Sequence, residues 1–313
     1  MNNSSKAETV SKTNMIAKAK KTDKTVKARI SFIIAVAAFG TLSIFVRNIT
    51  LPSGELALYR GILATLLLGT YFIVKREKVN IKDMGKDGIL LLLSGGAMGL
   101  NWIFLFEAYK YTTVSVATLS YYFAPVIVTI LCPILFKERM TLRQAICFIM
   151  STVGVIMVIN VSGLSGGGRD FIGVVCGLTA AVFYSIVIMV NKFIKNVSGL
   201  ERTFMQLIAA IVVLLPYVAV TSGFSFMSLD GFGWINLLIV GLFHTGIVYA
   251  LYFSALKEMR GQEVAVLSYI DPLVAVIISV TLLGESMTVM QAIGGAMILG
   301  FTLWNEVRSE AQE

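Results

Sequence analysis

A chain of 313 residues, 57% hydrophobic and 14% charged, falls far short of the roughly 25% charged residues of a soluble domain, which excludes an ordinary water-borne fold. The net charge of +8 sits in an N-terminal segment and in short connections, so it reads as membrane topology rather than as a nucleic-acid surface. Cys132, Cys147 and Cys176 lie inside apolar runs without disulfide or metal-ligand spacing and read as small buried hydrophobes.

Residues 1–29 are polar and basic and are expected to form a disordered cytoplasmic tail that touches anionic lipid. Ten apolar runs follow: Ile30 to Val46, Leu56 to Val74, Gly88 to Phe106, Val114 to Phe136, Leu142 to Val161, Phe171 to Val190, Thr203 to Thr221, Phe232 to Leu256, Val264 to Leu283 and Val289 to Trp304. Most are long enough to cross a hydrocarbon core of about 30 Å as helices. With the N-terminus inside, the cytoplasmic segments hold 22 Lys and Arg; the other face holds Arg47, Lys110 and Arg169. That asymmetry predicts a multi-pass protein of the cytoplasmic membrane with both termini cytoplasmic.

The chain repeats itself. Glu138-Arg139-Met140-Thr141-Leu142-Arg143-Gln144-Ala145-Ile146 recurs as Glu285-Ser286-Met287-Thr288-Val289-Met290-Gln291-Ala292-Ile293, 147 positions on. Val116-Ala117-Thr118-Leu119-Ser120 matches Val264-Ala265-Val266-Leu267-Ser268, Pro125 matches Pro272, and Ala108 and Lys110 match Ala255 and Lys257. Each copy, 30–161 and 171–305, contains five runs. Five is odd, so the copies are expected in opposite orientations, and the expected fold is an all-α membrane protein of ten transmembrane helices in two inverted five-helix repeats.

Paired repeats with an Ala-rich helix, a proline within a span, a Glu about 13 residues later and a Gln/Gly-rich last helix resemble the drug/metabolite transporter superfamily, in particular its ten-helix EamA-type members. The resemblance implies a helical bundle around a central cavity, the fifth and tenth helices packed outside it, and alternating access by movement of one repeat against the other.

The two copies act as an internal control on the polar residues. Thr141 with Gln144, and Thr288 with Gln291, have capping-box spacing, with Glu138 and Glu285 just ahead; these read as architecture, with gating as the other role. Pro125 and Pro272 are shared as well and are read as kinks or as site-lining breaks. Asp271, by contrast, stands where the first copy has Ala124, about a third of the way across a span where an ionised carboxylate costs about 2.5 to 3.5 kcal/mol. It is a candidate proton or cation site, the alternative being a carboxylate paired with a hydroxyl or a cation. His244 stands opposite Ala97 and reads as a packing histidine, or else as a proton relay or substrate contact. Arg60 and Glu107 are unmatched by charge in the second copy; they are expected to neutralise each other, or else Arg60 grips a substrate carboxylate.

Asn101, Trp102, Tyr122, Tyr184, Tyr249 and Tyr269 are the candidate substrate contacts, because polar and aromatic groups deep in spans are not explained by an interface belt. Gly95 and Gly99 read as a helix-packing face, and Gly166-Gly167-Gly168 lacks the Lys-Ser/Thr of a phosphate loop. No catalytic constellation, metal cluster or cofactor motif is apparent, so a non-enzyme is expected. The resemblance implies a secondary transporter of small organic metabolites such as amino acids, by export or exchange. The other reading is gradient-driven uptake of a small organic cation such as a quaternary amine. Proton coupling is a role open to Asp271, and nothing in the pattern prescribes an oligomeric state.

Overall fold

A computed structural model describes residues 26–77, 85–136, 141–158, 168–194, 196–197, 199–256, 259 and 267–309. The tail as far as residue 25, Glu138, the glycines at 166 and 167, and the segment 264–266 lie outside the described residues. The described residues form helices and contain no strand. Seven helices are long and apolar enough to cross a membrane: Val26–Val46 (α1), Ser53–Lys75 (α2), Gly85–Tyr111 (α3), Val114–Leu131 (the start of α4), Arg169–Asn191 (α6), Gly199–Thr221 (α7) and Gly231–Ala255 (α8). Leu142–Val158 (α5), Ile270–Thr281 (α9) and Val289–Asn305 (α10) are shorter apolar helices. Their outward faces are greasy: Ile73, Val74, Ile89, Leu142, Val220 and Val289 are exposed, as lipid-facing side chains must be.

α1 already includes Val26, inside the segment expected to be tail. Ala28 is buried with Phe32, Val36 and Ala255, and that packing holds the extra turn in place. A break at Thr41 divides α1. α4 is likewise in two pieces, Val114–Tyr121 and Ala124–Phe136, separated at Tyr122 and Phe123. Pro125 therefore sits in the first turn of the second piece, where its missing N–H leaves no hydrogen bond unmade. Pro272 occupies the same kind of position in α9, three residues after the turn at Tyr269. Both prolines start a helix piece after a break instead of kinking a continuous helix.

The capping boxes form as the spacing implies. Thr141 N–H donates to Gln144 Oε1 (2.8 Å) and Gln144 N–H donates back to Thr141 Oγ1 (3.3 Å); Thr288 and Gln291 repeat this at 2.9 and 3.2 Å. α5 and α10, which these boxes open, lie against each other. Gly154 and Gly294 face one another there, and a Cβ on either would come within 2.7 Å of the other's carbonyl oxygen. On α3, Gly95 similarly meets the backbone of Gln206 and Gly99 meets Leu214, so α3 and α7 approach closely.

α8 is regular over Gly231–Leu238, π-helical over Ile239–Ile247 and regular again over Val248–Leu256. Asp230 caps its start by accepting from Gly233 N–H (2.8 Å). In the wide turn, residues five apart share a face. Gly241 and Gly246 thus both present bare backbone to α2, where an added Cβ would strike Leu63 and Leu67.

Candidate functional site

A buried cavity of about 160 Å³ lies where α1, α2, α3, α4, α6, α8 and α9 converge. Its wall includes Arg60 from α2, Asn101 and Trp102 from α3, Tyr121 and Tyr122 from α4, Tyr184 from α6, Tyr249 from α8 and Asp271 from α9. A second cavity of about 200 Å³ shares Tyr121, Tyr122, Tyr184 and Asp271 and adds Tyr269, Ser268 and Pro125. The breaks in α4 and α9 put Tyr122 and Asp271 on this wall, since each lies at or beside the first turn of a half-helix.

Asp271 is anchored by the Tyr122 hydroxyl, which donates to its Oδ2 at 2.6 Å. It occupies the first turn of α9, where unpaired backbone N–H groups favour negative charge. That setting is how an apolar span accommodates a carboxylate. The hydroxyl partner considered for it is thus present, and it comes from the opposite repeat.

Arg60 is 3% exposed and lies with its guanidinium carbon 4.4 Å from the centre of the Trp102 ring and 5.2 Å from that of Phe106. Its Nε–H donates to Thr245 Oγ1 at 2.9 Å. No described residue accepts a hydrogen bond from Nη1 or Nη2. The expected neutralisation by Glu107 does not occur among the described residues. Glu107 instead accepts from Ser53 Oγ (2.5 Å) and Lys110 Nζ (3.2 Å), because it lies a turn further along α3, towards the helix end.

Asn101 donates from Nδ2 to the Ala180 carbonyl (2.7 Å), and its Oδ1 takes no hydrogen bond from a described residue. Trp102 is the platform under Arg60. Tyr249 stands edge-on to Phe39 (ring centres 5.3 Å apart), and Tyr121 packs on Tyr122 and Tyr184. His244 is buried away from the cavity wall. Its Nε2 is 3.0 Å from Thr41 Oγ1 and its Nδ1 is 3.4 Å from the Ile239 carbonyl, so it braces the π-helical turn against the break in α1.

Asp271, Arg60, Asn101, Trp102, Tyr122, Tyr184 and Tyr249 are therefore brought together, Tyr269 joins through the adjoining cavity, and His244 and Glu107 stand apart. Sequence reasoning missed three participants. Thr245, fully buried, looked like an ordinary span residue beside His244, and the five-residue spacing of Gly241 and Gly246 was the signal for a π-helical turn that presents it to Arg60. Tyr109 lines both the central cavity and a vestibule of about 580 Å³ that also contains Arg47, Lys110 and Glu285. The third is a contact: Arg47 forms an ion pair with Glu285.

Comparison with known proteins gives a consistent result. The model of the EamA-like transporter family matches twice, over residues 26–160 and 171–305. The uncharacterized transporter YxxF of Bacillus subtilis is 27% identical over 286 residues, 91% of each chain. An uncharacterized transporter of Archaeoglobus fulgidus is 28% identical over 88% of this chain and 96% of its own length. The uncharacterized inner membrane transporter YicL of Salmonella typhimurium is 23% identical over 87% of this chain and 93% of its own. A solved crystal structure superposes with a TM-score of 0.58 at 17% identity, covering 88% of this chain and 96% of that one, which supports the fold. With a double family match along nearly all its described length, this multi-pass membrane protein belongs to the EamA-like transporter family.

Proposed function

We propose that the chain is a secondary active transporter of the cytoplasmic membrane that moves small carboxylate-bearing metabolites, amino acids or their relatives, by export or exchange. The observation that carries this reading is that one cation and one anion, Arg60 and Asp271, line the same small buried cavity. A guanidinium with both terminal nitrogens unengaged suits a carboxylate, and a carboxylate among tyrosine faces suits an ammonium group. A small organic cation is the poorer match, because it would share the cavity with the fixed charge of Arg60. Asp271 is also the group placed to take up a proton when the ammonium leaves. Export or exchange follows from the family resemblance.

The working machine is two inverted five-helix halves, α1–α5 and α6–α10, spanning the membrane ten times with both termini cytoplasmic. The helix contacts support this division, since they come in matching sets: α3 packs on α6 and α7, and α8 packs on α1 and α2. Pairs α2 with α7, α4 with α9 and α5 with α10 join equivalent helices of the two halves. A cavity between such halves opens to one side or the other as they rock.

Purified full-length protein in liposomes loaded with amino acids should take up labelled external amino acid by counterflow. No counterflow across all common amino acids and a set of amines, at several pH values, would sink the transporter reading. Counterflow with amines alone would replace the zwitterion with the cation.

A further inference from the structure

The two halves differ by one residue in the middle of their third helices. Gly241 stands 146 positions after Gly95, whereas Gly246 stands 147 after Gly99. The flanks agree, since Gln206 on the preceding helix is 146 after Arg60, and Ala255 is 147 after Ala108. The extra residue falls within the stretch where α8 is π-helical and α3 is not. A single-residue insertion absorbed in a helix gives a π-bulge, a feature found often at functional sites.

The widened turn has two effects at the cavity. Its glycines Gly241 and Gly246 let α2 settle against α8 at Leu63 and Leu67. It also turns Thr245 toward Arg60, which lies one turn before Leu63 and two turns before Leu67 on α2. The Thr245 hydroxyl has one proton, and that proton is committed to the Val240 carbonyl at 2.8 Å, five residues back. Towards Arg60 the hydroxyl is therefore held as an acceptor, and it takes the Nε–H.

We propose that Thr245 is a positioning residue for ligand recognition: by engaging Nε, it leaves the Nη1–Nη2 end of Arg60 as the edge offered to a ligand carboxylate. A guanidinium binds a carboxylate in two-pronged fashion either along its Nε side or at its Nη1–Nη2 end. Thr245 removes the first mode, and the Trp102 face fixes the plane of the second. The assignment rests on the carboxylate reading of the cavity given above.

The test compares each common amino acid with its carboxamide, by thermal shift on the purified full-length protein and then by counterflow. Wild type should prefer the acid. Thr245→Val keeps shape without the acceptor, and the acid-over-amide ratio should fall by about tenfold, the usual worth of a hydrogen bond to a charged group. Thr245→Ser should keep the wild-type ratio, and Thr245→Ala should behave as Val does should the valine variant not fold. A purely structural role would weaken acid and amide together and leave the ratio alone. An unchanged ratio in folded Thr245→Val or Thr245→Ala overturns the positioning role while leaving the carboxylate reading intact. A wild type that binds acid and amide equally overturns that reading, and the positioning role with it.

Discussion

Arg60 and Gln206 occupy equivalent places in the two copies, and both tie the second helix of their half to neighbours. Gln206 donates from Nε2 to Ser94 Oγ on α3 (2.5 Å) and to Asn191 Oδ1 on α6 (2.7 Å), so its amide is spent inside the frame. Arg60 reaches the matching helix, α8, through Nε alone and keeps two nitrogens in reserve. The proposed binding role of Arg60 rests on that difference. Arg60→Gln should accordingly keep the fold, because glutamine serves at the equivalent site, yet lose acid-over-amide preference by at least about tenfold in thermal-shift titrations. Asp271 is argued in the same way from the other charge. Asp271→Asn preserves an acceptor for the Tyr122 hydroxyl but removes the negative charge, so the half-saturation concentration for amine-bearing ligands should rise about tenfold, while deaminated acids of the same shape should be unaffected. Equal losses for both ligand sets would show that Asp271 only holds Tyr122 in place.

Among the elements, α5 with α10 and α8 with α2 use glycine to the same end with different consequences. Gly154 and Gly294 bring α5 and α10 into backbone contact, and neither helix contributes a described residue to the central cavity wall. Gly294→Val should therefore destabilise the protein by about 1 to 3 kcal/mol through overpacking, read as a lower thermal midpoint, with ligand preference unchanged. Much of this level was legible in the sequence. The repeated Thr-x-x-Gln spacing foretold both capping boxes, and the glycine-rich face of α3 foretold its packing, because each is a local pattern with one physical solution. The breaks in α4 and α9 were only half legible: Pro125 and Pro272 flagged them, but a proline fits a kink and a first turn equally well until the neighbouring helix is known. Partner choice was not legible. Arg60 and Glu107 look like a charge pair by type and depth, whereas Ser53 and Thr245, ordinary in composition, win because Ser53 at the start of α2 faces Glu107 and Thr245 in the middle of α8 faces Arg60.

For the whole molecule, the decisive question is what keeps the central cavity from the outer vestibule. In the proposed orientation, the ends of α1 and α3 and the start of α10 face the non-cytoplasmic side. Arg47, at the end of α1, pairs there with Glu285 of the second half and also donates to the Thr112 carbonyl (3.3 Å). Glu285 accepts from Val114 N–H at the start of α4 (2.8 Å) and from the Ser279 hydroxyl, so one carboxylate gathers both halves. Below this knot, Tyr109 lines both the vestibule and the central cavity. In the proposed cycle, opening outward by rocking the halves apart would separate Arg47 from Glu285. In a background with Cys132, Cys147 and Cys176 replaced by alanine, Arg47→Cys with Glu285→Cys should transport until a short bifunctional methanethiosulfonate joins the two thiols, and a reductant should restore counterflow. In the same background, Arg47→Gln should speed the reaction of a Tyr109→Cys thiol with an impermeant reagent added from the vestibule side, because the closed state loses its cross-half ion pair. Full transport by the cross-linked protein would mean that the cycle never parts these residues, and the path to the outside would have to run elsewhere than past Tyr109.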